Sequence, residues 1–146
     1  MDNVDAKILK LLREDSRISI TELSKQVNLS RPSVQERLQK MIDSDIISGF
    51  TIINKPQKIG YSITFYVMIS EIKTSYEILV QILKGNPNVI EIYCVSGKVN
   101  YLVKVVAVDV EEMHTFLKDL RQFSLVETMI VLEDVESTAI LEPIIK

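Results

Sequence analysis

Between Ser30 and Lys40 the chain reads SRPSVQERLQK, a stretch dense in side chains that can hydrogen-bond to nucleic-acid bases and phosphates. Helical spacing turns Val34, Leu38 and Met41 inward. Pro32, Ser33, Gln35, Glu36, Gln39 and Lys40 then face outward, with Arg31 beside them at the helix start. An Arg guanidinium pairs with guanine, a Gln amide pairs with adenine, and a Glu carboxylate accepts from cytosine. Ser30 and the unpaired N–H groups of a first helical turn suit a phosphate. Arg37 lies near the core edge and fits either an ion pair inside the protein or a phosphate contact. The candidate DNA-contacting set is therefore Ser30, Arg31, Ser33, Gln35, Glu36, Arg37 and Lys40. Each of these, taken singly, also fits a solvated surface helix.

Other chemistries find little provision. His114 is the only histidine and has no second His or Cys nearby in sequence, so no metal site is expected. Cys94 is the only cysteine and reads as a small core or interface residue. With four glycines in all, no phosphate-binding glycine motif is present, and no cofactor is expected. Glu111, Glu112, Glu133, Asp134 and Glu136 read as solvated faces. Catalysis is not expected.

The elements that position Ser30–Lys40 follow from capping and periodicity. Val4, Ile8, Leu11 and Leu12 make one helix face, capped by Asp2 or Asn3 and ending near Asp15. Ser19 and Glu22 have capping-box spacing, and Leu23 with Val27 gives a second helix of about two turns. Asn28 tolerates the left-handed conformation of a tight turn. Ser30 caps a third helix, with Pro32 in its first turn where a missing N–H is harmless. Three such helices with this turn make a helix-turn-helix, whose last helix normally enters the major groove. The β-rich run Ile46–Ile53 predicts a short strand or wing, and Thr51–Gly60 a strand followed by a connector.

Beyond the connector the texture changes. Ser62–Ile72, Val89–Ser96, Asn100–Ala107 and Glu127–Leu141 read as strands. Tyr76, Leu79, Val80 and Leu83 mark one helix, and Met113, Phe116, Leu117 and Leu120 another. The order is βαββαβ, a ferredoxin-like sheet with one face under its helices and one face open. The expected fold class is α+β, with a winged helix-turn-helix at 1–50, a strand and linker at 51–61 and the ferredoxin-like (ACT-like) domain at 62–146.

Charge separates the same two regions. Residues 1–60 carry ten Lys/Arg against eight Asp/Glu, a net +2, and residues 61–146 carry seven against twelve, a net −5. Phosphate attraction from so mild a positive charge is weak, so a single head should bind DNA poorly and paired heads better. No run reaches the roughly 18 apolar residues of a membrane span. The acidic start and the single Cys fit a cytoplasmic protein.

The whole chain resembles the leucine-responsive regulator/AsnC (Lrp/AsnC) family of transcription regulators. Asp2–Leu9 resembles the family's first helix. Leu29-Ser30, Val34, Arg37, Leu38 and Ile46–Phe50 resemble its recognition helix and exit strand, and Pro56–Tyr61 its linker. Gly97–Tyr101 resembles its effector loop and Val131–Leu141 its last strand. The resemblance implies a regulator that binds double-stranded DNA as a homodimer, often assembled into octamers. It also implies a small-molecule effector, an amino acid or related metabolite, held by Gly97, Asn100, Tyr101, Ser137 and Thr138. Four positions depart from the pattern. Asp45 stands where the family usually has Gly, Ile42 where it has an acidic residue, Asn100 where it has Asp, and Glu136 where it often has Lys. Asn100 removes a charge that could organise a ligand amine. Two further readings stay open. A siroheme decarboxylase of similar fold would have only His114 and Arg121 for iron and propionates, and a DNA-bending architectural protein would need no effector.

Overall fold

The structure, a computed structural model, describes residues 1–133 and residue 135. The chain divides into a unit beginning with Met1–Ile52 and a unit spanning Ile53–Glu136.

The first unit holds α1 (Asn3–Glu14), α2 (Ile20–Val27) and α3 (Arg31–Asp43). Asp2 caps α1: its Oδ1 accepts from the N–H groups of Val4 and Asp5, both at 2.9 Å. Asp5 returns the bond, its Oδ2 accepting from the Asp2 N–H at 2.9 Å. The reciprocal box thus sits at α1. At α2, Ser19 accepts from the Glu22 N–H, but the Glu22 carboxylate faces Lys25 and Gln26 down its own helix. Asn28 adopts φ 54° and ψ 45°, the left-handed turn anticipated for it, and the Leu29 N–H reaches back to the Ser24 carbonyl. Ser30 caps α3 by accepting from the Ser33 N–H, with Pro32 in the first turn. Ile8, Leu23, Val27, Val34 and Met41 form the core, and Leu38 packs half-buried against it.

Asp45, just past α3, has φ 56°. That is the left-handed position where glycine is at ease and an Asp side chain is crowded. The run from Ile46 onward departs from expectation. No strand or wing forms between residues 46 and 55. A strand needs a ladder partner, and among the described residues this run has none, so Phe50, Ile52 and Ile53 stand exposed, Ile53 at 97%. The connector instead makes one tight helical turn at Pro56–Lys58.

The second unit is one antiparallel sheet in the order β2-β3-β1-β4, with β1 (Ile63–Ser70), β2 (Val89–Cys94), β3 (Tyr101–Ala107) and β4 (Leu125–Ile130). Helices α4 (Tyr76–Gly85) and α5 (Val110–Arg121) complete the βαββαβ order. β1 pairs with β3 from Ile63↔Ala107 to Ile69↔Tyr101 and with β4 from Phe65↔Ile130 to Ser70↔Leu125. Alternation sends Phe65, Val67 and Ile69, with Val103 and Val105, into a core shared with Leu79 and Leu83 of α4 and Leu117 and Leu120 of α5. The Phe65 and Phe116 rings meet edge-on at 6.0 Å. The opposite face carries Tyr66, Met68, Leu102, Tyr93, Leu125 and Met129, half-buried or exposed. Across it Lys104 Nζ lies 3.3 Å from Glu91 Oε1.

The last strand differs from the predicted Glu127–Leu141. It starts two residues earlier, at Leu125, because Val126 already pairs with Ile69 and enters the core, and β4 ends at Ile130. Val131 to Glu133 follow without strand structure. Asp134, Glu136, Ser137 and Thr138 lie outside the described residues.

Candidate nucleic-acid interface and effector loop

Helix α3 presents two chemically distinct sides. Val34 and Met41 are buried, while Arg31, Pro32, Gln35, Glu36, Gln39 and Lys40 are exposed and Ser33 is half-buried. Ser30 and Ser33 share a hydroxyl–hydroxyl bond of 2.8 Å at the helix start. Arg31 and Gln35 make no side-chain hydrogen bond among the described residues. Gln39 donates to Asp43 at 2.8 Å, and Lys40 Nζ sits 2.8 Å from Glu36 Oε1. Lys40, through its hydrogen bond and then its charge, holds the Glu36 carboxyl below the usual carboxylate range.

Arg37 is placed differently. Its Nη1 donates to Asp2 Oδ2 and Asp5 Oδ1, each at 2.7 Å. Of the two roles its position allowed, this geometry supplies the ion pair, tying α3 to the capping box of α1. The Asp2 carboxyl is lowered first by the Asp5 N–H and then by Arg37, and Arg37 is raised by the same two carboxylates. An open groove of about 600 Å³ runs beside the clamp, lined by Asp2, Asp5, Ser33, Glu36, Arg37 and Lys40 among others. Arg37's carboxylate partners escaped the sequence reading, although two acidic residues in one helical turn facing an arginine at the core edge were a usable signal.

The loop expected to hold an effector joins β2 to β3. Gly97 has φ 112°, a conformation that a side chain would strain. The Val95 N–H donates to the Asn100 carbonyl at 3.0 Å, and the Asn100 N–H to the Ile69 carbonyl at 2.8 Å. These bonds hold Gly97, Asn100 and Tyr101 at one end of β1. Tyr101 is only 8% exposed, its ring centroid 6.3 Å from that of Tyr76 at the start of α4. Burial first, then neighbouring Cys94, Tyr76 and Glu77, pushes its phenol above the ordinary value. Tyr76 had no sequence signal, since it occupies an ordinary helix-start position. The other two expected effector residues, Ser137 and Thr138, fall outside the described residues.

Cys94 is exposed at the end of an edge strand, so of the two readings, core or interface residue, the core one does not hold. His114 is exposed on α5. No cluster of three or more His, Cys, Asp or Glu that could hold a metal occurs among the described residues. Among them, too, no helix is long and apolar enough to cross a membrane.

Comparison with known proteins covers both units. Residues 1–42 match the AsnC-type helix-turn-helix domain, and residues 64–141 match the Lrp/AsnC ligand binding domain. The chain is 31% identical over 141 residues to the HTH-type transcriptional regulator FL11 of Pyrococcus horikoshii, covering 94% of this chain and 93% of that one. It is 31% identical over 150 residues to the proline dehydrogenase transcriptional activator of Rhizobium radiobacter, covering 96% and 94%. The solved structure of Bacillus subtilis LrpC superimposes with a TM-score of 0.87 at 25% identity, covering 94% of this chain and 99% of that one. A helix-turn-helix with a polar third helix, followed by the β2-β3-β1-β4 sheet, thus coincides with two consecutive family matches, and the chain belongs to the Lrp/AsnC family of transcription regulators.

Proposed function

We propose that the protein binds double-stranded DNA as a homodimer or larger assembly, one α3 per half-site in the major groove, and that a small-molecule effector shifts its assembly equilibrium. The observation that carries this reading is the two-sided character of α3, apolar side buried and polar side exposed and rich in donors and acceptors. Ser30, Arg31, Ser33, Gln35, Glu36 and Lys40 are assigned to DNA. Arg37 serves first as the clamp to α1. The assembly is assigned to the open sheet face, where Tyr66, Met68, Leu102 and Met129 leave an apolar surface that a partner subunit would cover.

The effector is assigned to the end of the sheet around Gly97, Asn100 and Tyr101, together with Ser137 and Thr138. An amino acid or related metabolite fits the ligand-binding domain to which residues 64–141 are matched. Asn100 offers hydrogen bonds and no charge, which favours a ligand whose amine finds its carboxylate elsewhere. The protein acts in the cytoplasm by binding alone, without catalysis.

Anisotropy titration of the full chain against DNA from upstream of its own gene tests this. A complex that resists unrelated competitor DNA and weakens steeply with salt is expected. Absence of such a complex overturns it. Sedimentation of the same sample with and without each of the twenty amino acids tests the effector, which is expected to change oligomer size or thermal stability.

A further inference from the structure

We propose that Glu36 is a specificity-determining residue that selects cytosine in the major groove, with Lys40 as its removable counter-charge; this rests on α3 entering that groove. Glu36 lies in the second turn of α3, within the part of a recognition helix that reaches base edges. Its side chain is 67% exposed and that of Lys40 72%, and their charged atoms are 2.8 Å apart. The carboxyl sits below its usual range, so it is ionised at neutral pH.

An anionic side chain on a DNA-facing surface is repelled by every phosphate. It is tolerated where something neutralises it or where a base offers it a hydrogen. In the free protein Lys40 neutralises it. In the major groove the hydrogens come from the amino groups of cytosine and adenine. Adenine sets its N7 acceptor beside that amino group, where it opposes the second carboxylate oxygen. Cytosine presents the amino group with no acceptor of its own on that edge, so it fits a carboxylate better. Lys40, on a long exposed stem, is then released to a backbone phosphate. Gln39 does not compete for this role, being tied to Asp43.

The consequence is a helix that carries little net charge into the groove and discriminates by mismatch. Opposite cytosine, the Glu36 carboxylate gains a bond as it gives up Lys40. Opposite any base without an amino group it loses Lys40 and gains nothing. Such a pair weakens wrong sites more than it strengthens the right one.

The test uses the full-length chain and its E36A, E36Q and K40A variants. Each is incubated with a pool of duplexes bearing a randomised stretch, and the retained DNA is sequenced. Affinities are then measured on the preferred duplex and on one with the selected cytosine replaced. The unaltered chain is expected to favour cytosine at one position per half-site by about tenfold or more. E36A should lose that preference, and E36Q should move it toward adenine. K40A should keep it while binding all sequences more weakly, with the salt slope reduced by about one.

Retention of the same sequence preference by E36A, with uniformly tighter binding, would overturn the assignment and leave Glu36 a mere repellent. Loss of the cytosine preference in K40A would overturn the counter-charge role. If the unaltered chain enriches no sequence, the placement of α3 in the groove fails, and Glu36's role with it. Both sites, Glu36 and Lys40, are exposed helix-surface positions, and circular dichroism confirms that each variant is folded before its binding is read.

Discussion

The helical unit pairs several of its charges internally, whereas the sheet unit leaves an apolar surface uncovered. In the first, Glu36 has Lys40, Arg37 has Asp2 and Asp5, and each of the three helices carries a side-chain cap. In the second, the core beneath α4 and α5 is complete, but Tyr66, Met68 and Met129 on the other face are only half-buried or exposed. Charges close together in sequence or across one helix pair can be neutralised within a chain. A flat apolar sheet face cannot be covered by helices already spent on the other side. The helical unit is therefore largely self-sufficient in structure and weak in attraction for DNA, while the other unit carries the surface proposed for assembly.

The comparison breaks most directly at the open face. Met68→Asp places a charge at its centre and should leave the protein monomeric by sedimentation. Affinity for DNA should fall by about 100-fold or more, the loss expected when paired heads are separated. An unchanged affinity in a monomeric variant would mean that the head binds unaided.

Leu23→Ala removes a fully buried side chain from the small helical core and should cost about 2–5 kcal/mol. In calorimetry this should produce an early transition for the head while the sheet unit melts as before. A single transition lowered as a whole would mean that the two units do not unfold separately.

Arg37→Ala sharpens the picture of internal neutralisation, with a fall in the melting temperature on the order of a few degrees. An unchanged salt dependence of DNA binding would confirm a clamp, and a slope reduced by about one would add a phosphate contact. Acid acts on the same network. The Asp2 carboxyl titrates lower in the folded chain than its ordinary 3.8, so its contribution is present above that value. It is lost as the pH falls through the lower folded value. Asp2→Asn keeps a capping oxygen and should flatten this acid dependence.

Asp45→Gly gives the smallest effect, and a favourable one. Relieving a side chain at φ 56° should raise stability by about 0.5–1 kcal/mol, measured by denaturant unfolding.

Much of this architecture could be read from residues with short-range consequences. Ser30, Pro32 and Asn28 act on backbone groups within a few positions, so the helix-turn-helix boundaries were legible. The aromatic and β-branched run Ser62–Ile72 likewise announced a strand. What misled was what depends on a partner. Ile46–Ile53 has strand composition, yet without a neighbouring strand its backbone stays unpaired. Ser19 and Glu22 have the spacing of a capping box, but Glu22 also has Lys25 and Gln26 within reach and turns to them. Tyr101 is buried and its register partner Cys94, on the same face but on the edge strand, is exposed, and composition does not report a strand's place in the sheet. On α3 the exposed polar residue types were legible. The pairings that hold Arg37 back and join Glu36 to Lys40 required the packed helices.

Assembly through the uncovered sheet face, as proposed, carries a temperature dependence. Association that buries apolar surface is driven near room temperature by the release of water, and it weakens on cooling. Subunits joined through Tyr66, Met68, Leu102 and Met129 should therefore come apart on ice and reassemble on warming. DNA binding measured cold would then approach that of isolated heads.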